Sequence, residues 1–339
     1  MKLPADRLDQ IRALVGGRSF CVTGGAGFIG AHIVDTLIAA GAAVTVIDDL
    51  SNATLDTLTD HIELDGGRCR FVYGSILDDR ALDDAIQGAD AVLHLAAMGS
   101  VPRSFDEPAR AFAVNATGTL RVLETARHHG CRRVVLAASS SAYGNPAEMP
   151  CVETMPTDPL SPYAASKLAA ESLCRAWSAG FGLSTACLRY FNVFGPRQRH
   201  DSAYAAAVAA FAGRLTTGRP PVIFGDGQQV RDFTYVANAV VATILAATAD
   251  APLAGEPINI GSGGSVSVAE LARMMSDRLA PNAPAPVFEP ARPGDVKESR
   301  ASSERARELI GYEPVMAFQD GLDQTCDWYR LSVAEGSSA

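Results

Sequence analysis

Up to Tyr190 the chain alternates short apolar runs with longer stretches of helical period. Ser19-Phe20-Cys21-Val22 reads as a first strand and residues 28–40 as the helix after it. Ala43-Val44-Thr45-Val46-Ile47 and Arg70-Phe71-Val72-Tyr73 follow as strands, then a helix over 81–87. Residues 91–97 form a fourth strand that ends in small side chains, and 108–129 is a long helix containing Asn115. Residues 133–138 are a fifth strand running straight into Ser139, Ser140 and Ser141. A helix then starts near Ser161-Pro162, and Ser184–Tyr190 is the sixth strand. Strands and helices alternating at this spacing predict an α/β fold with a doubly wound parallel sheet. Ligands of such sheets bind at the carboxyl ends of the strands.

Beyond Phe194 the regularity weakens. Gly and Pro become frequent, strands shorten to Val222-Ile223-Phe224 and Pro257-Ile258-Asn259, and helices alternate with loops. The reading is an N-terminal helical extension over 1–17, with Leu8, Ile11 and Val15 as its apolar side, and a nucleotide-binding domain over 18–193. A smaller, mainly substrate-binding region spans 194–331, with some of its segments returning to the main sheet, and 332–339 is a disordered tail. Residues 203–212 and 236–249 read as alanine-rich helices packed inside.

Between the first strand and its helix lies Thr-Gly-Gly-Ala-Gly-Phe-Ile-Gly, residues 23–30, with glycines at Gly24, Gly27 and Gly30. A tight strand-to-helix turn needs residues without Cβ, both for positive φ and for close backbone approach to a ligand. The free N–H groups and dipole of the following helix suit a pyrophosphate. The second strand ends in Asp48-Asp49, where an acid can accept both hydroxyls of an adenosine ribose. That carboxylate repels a 2′-phosphate, and no Arg or Lys lies between Thr45 and Thr59. The expected cofactor is therefore NAD rather than NADP.

Composition narrows the class. With 339 residues, 47% of them hydrophobic, the chain can bury a sizeable core. The net charge of −9 argues against nucleic acid or an anionic membrane surface as partner, so an anionic substrate needs its own arginines. The seven cysteines show no metal-ligand spacing, and Cys21, Cys69, Cys131, Cys174 and Cys187, in apolar surroundings, read as reduced core thiols of a cytoplasmic protein. No metal is expected. Asp6, Arg7, Asp9 and Arg12 interrupt any signal-peptide-like apolar region, and no apolar run reaches membrane-spanning length.

Tyr163-Ala-Ala-Ser-Lys167 supplies candidate chemistry. Four residues apart on a helix, the two side chains share a face, and a cation near a phenol stabilises its phenolate. A serine hydroxyl at the end of the fifth strand completes a proton path. His94 reads as a satisfied core histidine rather than a catalyst.

Together these motifs resemble the extended branch of the short-chain dehydrogenases/reductases, with its Rossmann-like fold. More specifically, the chain is similar to nucleotide-sugar 4-epimerases acting on UDP-glucose and UDP-N-acetylglucosamine. The resemblance covers nearly the whole chain. It rests on the glycine loop, His94-Leu-Ala-Ala, Asn115-Ala-Thr-Gly-Thr, Ser139-Ser-Ser-Ala-Tyr-Gly144 and Tyr163-Ala-Ala-Ser-Lys167. It continues through Leu188-Arg-Tyr-Phe-Asn-Val-Phe-Gly195, Gly225-Asp-Gly-Gln-Gln-Val-Arg-Asp232, Asn259-Ile-Gly-Ser-Gly263 and Arg292-Pro-Gly-Asp295.

The resemblance implies that Tyr163 removes the proton of the sugar 4-hydroxyl while C4 gives hydride to tightly held NAD⁺, with Ser139 and Lys167 assisting. It implies a homodimer pairing through two helices per subunit, matching 108–129 and 161–180, with Phe112, Leu120, Leu123, Leu168 and Leu173 as apolar positions. Beside Gly24, Gly27 and Asp48, it places Phe28, Ile29, Asp49, Asn52, Ser75 and Ile76 on the cofactor. Leu95, Ala96, Ala97, Asn115, Ala137, Tyr190 and Val193 join them, as do Tyr163 and Lys167. On the substrate it places Ser100, Val101, Ser139, Ser140, Ser141 and Tyr163, then Asn192, Arg197, Val222, Phe224 and Arg231. Val268, Arg292, Asp295 and Ser299 complete that side, with Asn192, Arg231, Arg292 and Asp295 holding UDP. Three positions depart from the family pattern, since Ser75, Asn238 and Ser302 each stand where Asp is usual.

Related 4,6-dehydratases carry an Asp-Glu pair after the catalytic hydroxyl residue, and UDP-xylose-forming decarboxylases carry a Glu two residues before the Tyr-Gly. Here those positions hold Ser140 and Ser141, which leaves epimerisation. Ser299 takes the family's pocket-size position, where a small residue admits an acetamido group, and residues 99–104 resemble epimerases of N-acetylated UDP-hexosamines. Against this, Gly195-Pro-Arg-Gln-Arg199 resembles UDP-glucuronate 4-epimerases, in which Arg197 faces the sugar carboxylate. A catalytically silent NAD-sensing protein is the remaining alternative, although such chains usually lose the Tyr or Lys kept here.

Overall fold

The computed structural model describes residues 1, 3–63, 68–200, 206–292 and 296–334. Seven strands form one sheet. They are β1 (Ser19–Thr23), β2 (Ala43–Asp48), β3 (Cys69–Tyr73), β4 (Ala91–His94), β5 (Arg133–Ser139), β6 (Ser184–Tyr190) and β7 (Ala254–Ile260). Their order is β7-β6-β5-β4-β1-β2-β3, and all pairings are parallel. Parallel strands covered on both faces read as continuous apolar runs, as β4 and β6 do.

One face carries the helices Ala5–Val15, Phe28–Ala39 and Val236–Thr248, whose side chains merge with Val22, Val46 and Leu188 in the larger core cluster. The helix Val236–Thr248 is apolar all round because it lies inside, with only Leu245 short of full burial. Asp79–Ile86, Gly118–His128 and Pro162–Phe181 cover the other face, packing Leu82, Leu123 and Ala170 against Val92 and Leu136. This is the doubly wound α/β fold. The chain reverses direction at β1, and the crevice between the ends of β1 and β4 is where a ligand fits.

Several boundaries differ from the sequence reading for local reasons. β4 stops at His94 because Leu95 and Ala96 turn over the end of β1, donating to the Thr23 carbonyl and hydroxyl. The helix expected at 81–87 starts at Asp79, with the Asp78 carboxylate accepting from the Arg80 and Ala81 amides. The long helix is interrupted by a π turn, Ala113–Thr117, centred on Asn115. Pro257-Ile258-Asn259 belongs to β7, so the later part of the chain does return to the sheet. The helix Phe318–Ala334 takes in residues 332–334, so the expected tail is not all tail, and 335–339 lie outside the described residues. The helix expected at 203–212 is observed as Ala207–Leu215, with 203–205 outside the described residues.

The remaining strands are short and form small sheets of two or three strands. Val230–Arg231 lies between Glu298–Ser299 and Val266–Ser267, and Val222–Phe224 pairs with Val287–Glu289. All seven cysteines are buried, and none is in a disulfide.

Candidate active site

The glycine loop is shaped by contacts that leave no room for side chains. Gly24 has φ +69°, and a Cβ there would lie 2.6 Å from the Ala96 nitrogen. A Cβ on Gly30 would lie 2.2 Å from the Gly24 carbonyl oxygen. Gly27 caps the helix Phe28–Ala39 without a side-chain hydrogen bond, and no acid stands in its first turn. Its leading N–H groups thus suit an anionic ligand. Asp48 Oδ2 accepts from the Ala26 amide at 3.1 Å and Oδ1 from the Leu50 amide at 2.9 Å. Burial raises its pKa, and these two bonds oppose the rise. The carboxylate therefore fixes the loop and stands at the adenosine end of the crevice. These features fit a dinucleotide, which Gly24, Gly27 and Asp48 would hold.

At the other end, Tyr163 and Lys167 lie on the first two turns of Pro162–Phe181, which Ser161 caps by accepting from the Ala164 amide. Ser139 ends β5 and caps the turn Ser140–Tyr143. Its hydroxyl meets that of Ser141 at 2.8 Å and lies close to the Tyr163 phenol. Burial raises the phenol's pKa, and the Ser139 hydroxyl opposes this. The Lys167 ammonium is buried and donates to the Ala137 carbonyl at 2.9 Å, and burial pushes its pKa down to about 8. The sequence reading gave Lys167 as the partner that lowers the phenol's pKa. The Ser139 hydroxyl works in the same direction.

His94 is fully buried between the hydroxyls of Thr23 at 2.7 Å and Thr119 at 3.0 Å. Burial lowers its pKa to about 3, which keeps the ring neutral. It is the satisfied core histidine expected.

One cavity of about 1400 Å³ joins both ends, and nearly every residue assigned to a ligand lines it. Asp295 lies outside the described residues. Asn115 is the exception. It is fully buried away from the wall, its Oδ1 accepting from the Met98 amide at 2.8 Å and its Nδ2 donating to Ser166 Oγ at 2.9 Å. Ser166 in turn donates to the Tyr163 carbonyl at 2.8 Å. Asn115 thus ties the loop after β4 to the Tyr163 helix, and the π turn is what aims its side chain. Asn115→Ala is expected to lower turnover by about tenfold or more while UDP binding holds, as parallel kinetics and calorimetry would show.

On the substrate side, Arg231 and Ser299 are cross-strand neighbours, and the Arg292 guanidinium stacks over the Phe224 ring at 3.6 Å. Asn192 stands at φ +36° with its amide donating to the Asp232 carbonyl at 3.1 Å. Arg197 is paired with Asp35 of the helix Phe28–Ala39 at 2.8 Å, a carboxylate that also meets His61 at 2.7 Å. That engagement gives the glucuronate alternative no support. Asn238 does the work of a loop clamp, accepting from the Val315 and Met316 amides.

Sequence reasoning missed Ser104, whose buried hydroxyl accepts from the Tyr163 amide at 3.0 Å, and Cys151, Gln229 and Phe233 in the wall. It also passed over Glu171, although 163, 167 and 171 repeat one helix face.

Fold and site together define a short-chain dehydrogenase/reductase of the extended type. The model of the NAD dependent epimerase/dehydratase family matches residues 20–261. The UDP-glucose 4-epimerase of Mycolicibacterium smegmatis is 38% identical over 312 residues, covering 91% of this chain and 97% of its own. The UDP-glucuronate 4-epimerase of Thermodesulfobacterium geofontis is 33% identical over 322 residues, covering 93% and 97%. The structure of a UDP-N-acetylglucosamine 4-epimerase from Methanobrevibacter ruminantium, in complex with UDP-N-acetylmuramic acid, superposes with a TM-score of 0.87. It is 34% identical and covers 95% of this chain and all of that one. The chain belongs to the NAD dependent epimerase/dehydratase family.

Proposed function

We propose that the protein is an isomerase that inverts C4 of a UDP-sugar through a 4-keto intermediate. The observation that carries this reading is one cavity with Ser139, Tyr163 and Lys167 together in its wall, while positions 140 and 141 hold no acid. The chemistry that bound NAD supplies here is reversible removal of the C4 hydrogen with its electron pair. Tyr163, as the phenolate that the Lys167 ammonium favours, takes the 4-hydroxyl proton and keeps it, with Ser139 Oγ holding the two oxygens in line. When the keto group has turned its other face, Tyr163 returns the proton to the oxygen. Ser140 and Ser141 offer no carboxyl for loss of water, so the ring is returned intact.

Arg231 and Arg292 bring positive charge to the diphosphate in an otherwise acidic protein, with Asn192 and Asp295 as further contacts to the nucleotide. The preferred sugars are UDP-N-acetylglucosamine/UDP-N-acetylgalactosamine and UDP-glucose/UDP-galactose. Ser299, buried beside Arg231, leaves space that a Tyr ring would fill. Overpacking costs ~1–3 kcal/mol. At ~1.4 kcal/mol per tenfold, Ser299→Tyr is expected to lower kcat/KM for UDP-N-acetylglucosamine roughly 5- to 150-fold relative to UDP-glucose. Equal losses on both sugars would remove Ser299 as the size gate. The glucuronate reading predicts instead that Arg197→Ala abolishes turnover of UDP-glucuronate, in competition assays against the neutral sugars.

The working form is a homodimer. Phe105, Phe112 and Phe181 expose about half of their surface on the helices Val101–Asp106, Pro108–Phe112 and Pro162–Phe181. Leu168 and Leu173 are partly exposed on Pro162–Phe181 and Leu120 on Gly118–His128, whereas Leu123 is fully buried in the core and drops out of the surface. Light scattering at micromolar concentration is expected to give twice the chain mass, and a single-chain mass would contradict the dimer. Buried free thiols support a cytoplasmic setting. No helix among the described residues is long and apolar enough to cross a membrane.

A further inference from the structure

The inward face that carries Tyr163 and Lys167 recurs four residues on at Glu171. Its carboxylate meets the guanidinium of Arg189, on β6, side-on: Nε to Oε1 is 3.0 Å and Nη2 to Oε2 is 2.7 Å. Both side chains are buried, at 4% exposure for Arg189 and 8% for Glu171, and neither lines the cavity. The same guanidinium lies over the Tyr143 ring, 4.6 Å from its centroid. Tyr143 closes the turn that Ser139 caps, and its hydroxyl donates to Asn259 Oδ1 of β7 at 2.7 Å. Asn259 is held in turn by the Cys151 carbonyl at 3.0 Å and by Glu153, which accepts its amide at 2.7 Å.

The serine turn and the Tyr163 helix are therefore joined twice. At the cavity wall Ser139 meets the phenol, and beneath it Glu171, Arg189 and Tyr143 run in an unbroken line of contacts. A buried ion pair is a poor source of stability, because desolvation offsets its attraction. This one sits beside a third buried charge, Lys167, and uses the flat fork of an arginine to serve a carboxylate edge-on and an aromatic ring face-on at once. A lysine offers neither surface.

We propose that Arg189 is a positioning residue for the reaction: it holds the serine turn against the Tyr163–Lys167 helix and so keeps Ser139 Oγ on the phenol. Its effect on turnover rests on the epimerase reading, whereas its effect on the turn does not. The Glu171 carboxylate has a second consequence. It supports the charged form of Lys167 against burial, with Cys174 one turn further along the same helix.

Arg189→Lys keeps the charge and loses the fork and the stacking plane. Per molecule of NAD-containing protein, it is expected to lower kcat about 10- to 100-fold with KM for the UDP-sugar within about threefold. Tyr143→Leu removes the ring and gives the same split. Tyr143→Phe keeps the ring over the guanidinium and holds kcat within about threefold of the parent. Hydrogen exchange reads the tie without turnover. The Ser141 and Gly144 amides exchange about tenfold faster in Arg189→Lys and Tyr143→Leu, and at the parent's rate in Tyr143→Phe. Parent-like exchange in the turn, or parent-like kcat per NAD-containing molecule, in both Arg189→Lys and Tyr143→Leu overturns the proposal. Should Arg189→Lys not fold, the two Tyr143 variants decide on the same criteria. A parent protein inactive on every UDP-sugar overturns the epimerase reading instead, and the exchange rates alone then decide the tie.

Discussion

The Tyr163→Phe variant is expected to bind UDP as the parent does and to turn over about 10²- to 10⁴-fold more slowly, the range that general acid–base catalysis contributes. The substitution removes one oxygen and leaves the ring packing and the helix intact. The Tyr163 amide still bonds Ser104 and its carbonyl still accepts from Ser166. Arg231 and the Arg292–Phe224 stack, proposed to serve the nucleotide, stand on strands and loops that the substitution does not touch. Binding and chemistry are thus separable at this residue, as calorimetry with UDP and single-turnover rates would show. A loss below about tenfold would mean that another group moves the proton, Ser139 being the first candidate.

Gly30→Ala is expected to empty the enzyme of NAD. The added methyl would stand 2.2 Å from the Gly24 carbonyl oxygen and 2.8 Å from the Gly25 Cα. Both neighbours are backbone of the loop itself, so relief requires moving the loop off the phosphate-binding position rather than rotating a side chain. Overpacking costs ~1–3 kcal/mol, and at ~1.4 kcal/mol per tenfold the affinity falls roughly 5- to 150-fold, with rigid backbone favouring the upper end. The nucleotide released on denaturing equal amounts of parent and variant measures this directly. Gly180→Ala is the control, since nothing lies within 4 Å of a Cβ there and the helix Pro162–Phe181 gains about 0.5–1 kcal/mol from it. Parent-like NAD content in Gly30→Ala would contradict the cradle.

What the sequence made legible was whatever local pattern dictates. Parallel strands buried on both faces leave apolar runs, and Ser184–Tyr190 and Val222–Phe224 are observed with the limits expected of them. The glycine loop and the Tyr-Lys spacing are likewise written in adjacent residues. The π turn at Asn115 is not. Ala113–Thr117 is compatible with an ordinary helix, and the bulge answers to bonds with Met98 and Ser166 from distant segments. For the same reason Asn115, expected on the cofactor, is found buried behind the cavity wall. Arg197 lines the cavity as expected, but its pairing with Asp35 of the helix Phe28–Ala39, 162 residues away in sequence, is written in no local pattern. Glu171 and Arg189 are charged residues in apolar strings, and only the fold shows that each satisfies the other.

The central claim is tested most directly by incubating the purified protein, with no nucleotide added, with UDP-N-acetylglucosamine, UDP-glucose and UDP-glucuronate separately and resolving the products. The account predicts that UDP-N-acetylgalactosamine and UDP-galactose appear until each pair reaches equilibrium, with the sugar otherwise unchanged. Absence of any C4 epimer, a dehydrated product, or turnover that appears only when NADPH is supplied would contradict it.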